Sequence, residues 1–169
     1  MKHAERAVST ILAAMLLTTI AFGRGGQKDD KDAAETLIKA ARFLEEKPLD
    51  KKAKDVRGWA VGWIIATDKV GVTVCSLLIS GVDKKYKYSS ELLGQYTIGM
   101  AAFKLANPEK VKDEDAAQEA GIESALLSYE AITKEQPKAG NAFLDDLLTK
   151  RSQGELTRFV KENNCKPGK

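Results

Sequence analysis

The sequence predicts an all-α fold, an antiparallel array of about seven short helices. Apolar residues recur every three to four positions along most of the chain, and prolines break these stretches apart. Acidic or hydroxyl residues stand where helices would begin. Short amphipathic helices are marginal alone in water, so each must cover its apolar stripe with its neighbours.

Residues 1–23 read MKHAERAVSTILAAMLLTTIAFG and have the three parts of a secretory signal peptide. Lys2 and Arg6 give a positive start, Ala7 to Ile20 is uncharged, and Ala21 and Gly23 are small residues at the cleavage positions. Cleavage is expected after Gly23, because the run is shorter than the roughly 20 apolar residues that span a bilayer. The expected destination is the periplasm or the outside of the cell. The expected division is a signal peptide at 1–23, a disordered leader at 24–29, one helical domain over 30–165 and a loose tail at 166–169.

The first helix is expected from Asp30 to Glu46, with Ala34, Leu37, Ile38, Ala41 and Leu44 on one face and Pro48 beyond its end. Asp50 can cap a second helix from Lys51 to Thr67, whose stripe is Ala53, Val56, Ala60, Trp63 and Ile64. Val70, Val72 and Val74 alternate as in a strand, whereas Val74, Leu77, Leu78 and Val82 recur as in a helix. A lone strand would have no partner, so a third helix is expected over Val70 to Val82. Ser89 or Ser90 would cap a fourth helix, Glu91 to Ala106, in which Gly94 and Gly99 make sense if another helix packs close. A fifth helix opens at Asp113 or Asp115 and runs to Lys134, and a sixth spans Ala139 to Lys150. Ser152-Gln153-Gly154-Glu155 matches a capping box for a seventh, Gly154 to Asn163.

Composition excludes several chemistries. The chain has 27 basic and 24 acidic residues, of which Lys2, Glu5 and Arg6 belong to the signal segment. The mature part is therefore near neutral, and it carries no basic block of the kind that binds nucleic acid. The single histidine, His3, also lies in the signal segment. The mature domain thus has no Ser-His-Asp or Cys-His pair, no His-bearing zinc site and no ordinary haem ligation. No metal and no cofactor are expected. Asp145 and Asp146 are adjacent, so on a helix they point about 100° apart and do not converge on one substrate. Asp113-Glu114-Asp115 lacks the spacing of a calcium loop.

Cys75 and Cys165 form no C-x-x-C motif. In an oxidising compartment one disulfide between them is the favoured reading, with two free thiols or an intermolecular bridge through Cys165 as alternatives. The candidate binding residues are Trp59, as the aromatic wall of a groove, and Gln95, Tyr96 and Thr97, which could line a groove beside the two glycines. Core packing explains each of them without a ligand. Tyr86 and Tyr88, among Lys84, Lys85 and Lys87, could meet an acidic partner or fold back onto neighbouring helices.

Ala125, Tyr129 and Pro137 in the fifth helix stand at the offsets of the second helix of a tetratricopeptide repeat, and Leu93-Gly94 is similar to the Leu-Gly of its first helix. Ile132 and Thr97 depart from the pattern. Residues 91–137 thus resemble that repeat, which implies stacked helical hairpins forming a binding scaffold without catalytic residues, and adds Tyr129 to the candidate binding residues. The function expected is a non-catalytic interaction domain for a protein or peptide partner in the cell envelope. A small-ligand carrier, a structural envelope protein and a histidine-free enzyme acting on envelope material are the alternatives.

Overall fold

The computed structural model describes the backbone of residues 25–163 and the side chains of residues 31–163. The signal peptide, its cleavage position, Cys165 and the tail lie outside the described residues. Among the described residues the protein is all-helical. Its seven α-helices are α1 (Gly25–Glu46), α2 (Ala53–Ala66), α3 (Ser76–Gly81), α4 (Ser89–Ala106), α5 (Glu114–Glu135), α6 (Ala142–Ser152) and α7 (Leu156–Glu162), with a 3-10 turn at Pro108–Lys110.

The helix at the centre is α4. Its sequence is apolar on nearly every side, and a helix of that kind belongs inside. Leu92, Tyr96, Ile98, Met100 and Ala101 are buried on different faces of it. One side joins a cluster with Leu37, Leu44, Ala60 and Ile64 from α1 and α2. The other joins Leu126, Tyr129, Leu144, Leu147 and Val160 from α5, α6 and α7. The expected stripes of α1 and α2 face this core.

α4 and α5 come close together where two glycines meet. A Cβ on Gly99 would strike the Ser124 side chain and lie 3.3 Å from the Gly121 Cα. A Cβ on Gly121 would stand 2.8 Å from the Tyr96 carbonyl oxygen. Gly99 is therefore a close-approach glycine, as its cost to helix propensity implied. Gly94 makes room for the Arg57 stem instead, 2.9 Å from where its Cβ would be.

Several boundaries depart from the sequence reading. The helical backbone of α1 is described from Gly25, ahead of the expected start at Asp30. Nothing in Gln27-Lys28-Asp29 breaks a helix, and a nucleated helix extends at low cost. Only the second half of the expected third helix forms; residues 70–75 carry no helix or ladder, and Cys75 before α3 is extended. Ser89 and Ser90 lie inside α4, with Tyr88 at the N-cap. Ser152 caps nothing: its hydroxyl donates to the Thr149 carbonyl, 2.7 Å. Gly154 at φ +70° ends α6, with Glu155 N–H on the Lys150 carbonyl at 2.8 Å and Gly154 N–H on that of Arg151 at 3.0 Å. This is a Schellman ending, so the glycine serves the helix before it. Asp50 turns the chain into α2 by accepting from Lys52 N–H at 2.8 Å.

The two kinds of helix glycine should respond oppositely to alanine. Gly121→Ala adds helix propensity but overpacks against a backbone carbonyl, and we expect it to lower the unfolding free energy by about 1–2 kcal/mol. Gly62→Ala faces open space and should raise it by up to about 1 kcal/mol. Chemical denaturation of both variants checks this; the same sign for both would contradict it.

Candidate functional site: a groove between α1 and α2

The structure separates the candidate binding residues. Gln95, Tyr96 and Tyr129 are enclosed in the core and line no open groove on α4. Gln95 Nε2 donates to the Ala41 carbonyl at 3.1 Å and to Ser124 Oγ at 2.7 Å. Tyr96 donates its hydroxyl proton to Gln118 Oε1 and accepts Cys75 N–H at 3.1 Å. Burial pushes the Tyr96 phenol up to about 12, so it stays protonated. Thr97 turns back on its own helix, donating to the Leu93 carbonyl at 3.0 Å. Tyr129 donates to Asp145 Oδ1 at 2.7 Å and accepts Asn141 N–H at 2.7 Å, which fixes the start of α6. Burial first, and then the bond to the Asp145 carboxylate, raises its phenol to about 12. These side chains fasten helices together. A groove was expected on α4 because polar residues beside glycines also mark ligand walls; here Gly99 admits α5 and Gly94 admits the Arg57 stem of α2.

The segment 70–75 finds partners in side chains rather than in a second strand. Lys104 Nζ donates to the Gly71 carbonyl at 2.9 Å, Gln118 Nε2 to the Thr73 carbonyl at 2.5 Å, and Tyr96 takes the Cys75 amide. Lys104 itself is buried and pairs with Glu114 Oε1 at 2.6 Å. Val70 and Cys75 are buried from this segment, while Val74 is exposed.

Glu45 and Glu123 are half-buried carboxylates near Ser124. Ser124 Oγ donates to Glu45 Oε1 at 2.5 Å. Desolvation raises Glu45 above its ordinary range, with the Ser124 hydrogen bond and Arg42 opposing. Desolvation likewise raises Glu123, opposed chiefly by Arg151. The cleft here, about 200 Å³ among α1, α4 and α5, is lined by Arg42, Glu45 and Ser124 as well as by Ile38, Ala102 and Phe103. The hydroxyl–carboxylate pair here, Ser124 Oγ on Glu45 Oε1, is held inside the helix contact, because Ser124 is buried and also accepts from Gln95 Nε2 at 2.7 Å. No group of three or more His, Cys, Asp or Glu side chains among the described residues could hold a metal.

The tyrosines of the basic loop are also structural. Tyr86 donates to the Ala139 carbonyl at 2.6 Å, and its ring meets Tyr88 edge-on at 5.9 Å. Lys87 sits over the Tyr88 ring at 5.0 Å.

Trp59 is different. It is 41% exposed and forms one wall of an open groove of about 540 Å³ between α1 and α2. Ala40 and Phe43 from α1 and Val56 from α2 complete the apolar floor, and Lys39, Lys52 and Asp55 stand at its edges. Trp63, one turn on, is half-buried against the α1–α2–α4 core. Beyond the groove the outer face of α2 continues as Gly58, Gly62, Ile65 and Ala66, all exposed. A surface helix normally turns charge outward here. The signal was readable: apart from Lys54, Asp55 and Arg57 in its first turns, α2 is uncharged to its end.

The chain matches no family model, and no characterised protein or solved structure is significantly similar to it.

The carboxylate chemistry gives a signed test. Glu45 has a raised pKa in the folded state, so folding favours its protonated form. Stability contributed by that form is present below the ordinary value of 4.5 and is lost as pH rises through the higher folded value. Glu45→Gln keeps an acceptor for Ser124 and removes the charge. Its stability relative to the unmodified protein should therefore rise as pH climbs from 4 to 7 in denaturant titrations; a relative fall over that window would contradict the burial argument.

Proposed function

We propose that this protein is an exported, non-catalytic interaction domain that binds a protein or peptide partner through the α1–α2 groove. The observation that carries the reading is the exposed Trp59 wall, continuous with an uncharged outer face of α2. Aromatic anchors in apolar grooves dominate the energetics of protein recognition, and exposed apolar faces of this kind mark interaction sites in proteins kept in water. The groove is shallow and holds no converging acid and base, which favours binding over catalysis. The α4–α5 pairing supports the helical-hairpin scaffold that residues 91–137 resemble.

Export rests on the signal-like residues 1–23 and on cysteine usage. Cys75 is buried, and no free cysteine occurs among the described residues. Among the described residues no helix is long and apolar enough to cross a membrane. In this reading Cys75 pairs with Cys165 in the periplasm or outside the cell, and a partner in the envelope meets the groove.

Affinity capture from an envelope fraction, with the unmodified protein and Trp59→Ala side by side, tests the reading. We expect one protein species enriched by the unmodified protein and reduced at least tenfold by the variant. Equal recovery in both, or a co-purifying metabolite with no protein, would overturn it. Unreduced protein should take up no thiol-alkylating reagent; labelling of both cysteines would remove the disulfide.

A further inference from the structure

We infer that the occupant of the α1–α2 groove is an acidic amphipathic helix of a partner protein. The inference rests on the groove reading above and names its ligand. Three features of the groove set the chemistry. The first is length. The exposed face runs along all of α2, whose 14 residues span about 21 Å at roughly 1.5 Å per residue. That is the footprint of about four helical turns, longer than a compact small ligand needs. Small-ligand sites enclose most of their guest, whereas this groove is open and continues onto a bare helix face.

The second is charge. Lys39 on α1 and Lys52 beside the start of α2 flank the apolar floor. Both are exposed, and neither makes an ion pair among the described residues. The single carboxylate on the wall, Asp55, lies in the first turn of α2, where it faces the positive end of that helix. A helix with apolar residues at i, i+3, i+4 and i+7 would lay them on Phe43, Val56 and Trp59. Carboxylates on its flanks would then meet Lys39 and Lys52. This is helix-in-groove recognition with charge setting the orientation.

The third is backbone access. Gly58 and Gly62 are exposed on the same face, with nothing within 4 Å of where their Cβ atoms would stand. Their φ angles are ordinary, since Gly154 is the only positive-φ glycine among the described residues. Each lowers helix propensity by about 1 kcal/mol relative to alanine, and nothing inside this molecule uses the space. A partner helix lying across α2 does.

The test measures binding of two fluorescently labelled, stapled helices to the full chain by anisotropy. Both carry leucines at the i, i+3, i+4, i+7 positions; one has Glu at the flanking positions and the other Lys. The expected result is about tenfold tighter binding of the Glu helix at low salt, the scale of two surface ion pairs. The gap should close in a Lys39→Glu/Lys52→Glu variant and at high salt, while Trp59→Ala weakens both helices. Equal affinity for the two helices would overturn the acidic partner and leave the groove standing. Binding of sodium laurate with neither helix bound would overturn both and point to a carrier. Self-association in sedimentation that Trp59→Ala abolishes would overturn the partner in favour of a second copy.

Discussion

The close approach of α4 and α5 at Gly99 and Gly121 is the constraint from which the rest of the architecture follows. Without side chains at those two positions, backbone meets backbone and the polar side chains on either side come within hydrogen-bond reach. Gln95 reaches both Ser124 on α5 and the Ala41 carbonyl on α1. Ser128, on the same face of α5, donates to the Leu44 carbonyl at 2.9 Å. α1 is thereby fixed in the groove that α4 and α5 form, and α2 is held against α4 by Ala60 and Ile64. With its inner stripe used in this way, α2 has its remaining apolar surface turned to solvent.

Buried polar groups demand partners, and Lys104, Gln118 and the Tyr96 hydroxyl find theirs in the segment 70–75. A strand alone cannot satisfy its backbone. Here Lys104, Gln118 and Tyr96 serve the Gly71 carbonyl, the Thr73 carbonyl and the Cys75 amide in place of a neighbouring strand. Lys104 and Glu114 illustrate the cost of this solution. Bringing a charge pair out of water is expensive, and the attraction between the two offsets it only with good geometry. The 2.6 Å contact, and the additional bond from Lys104 to Gly71, supply that geometry. In return the end of α4, the start of α5 and the segment 70–75 are tied at one point.

The apolar periodicity made the helices legible from sequence, including their number and most of their buried faces. Gly99 announced a close helix contact by its cost alone, though its partner Gly121 needed coordinates to be found. What stayed hidden was the use of polar residues within apolar stripes. Gln118, Ser124, Ser128 and Lys104 look like surface residues by type, yet all are buried. Their positions next to Ala117, Gly121, Ala125 and Ala101 were the available signal. The run Val70 to Val74 was ambiguous because its stabilising contacts come from residues far along the chain. Of the binding candidates, Trp59 was placed on a groove and the α4 residues were not, since a polar residue beside a glycine reads alike whether a ligand or a helix fills the space.

α4 and α5 carry the stability of the fold while α2 contributes an accessible face. Native-state hydrogen exchange on the intact protein measures this division residue by residue. Amides in the middle of α4 and α5 should exchange only through global unfolding, and those of α2 around Gly58 and Gly62 at lower free energies through partial opening. Exchange of α2 at the global limit, with α4 or α5 opening before it, would contradict the account.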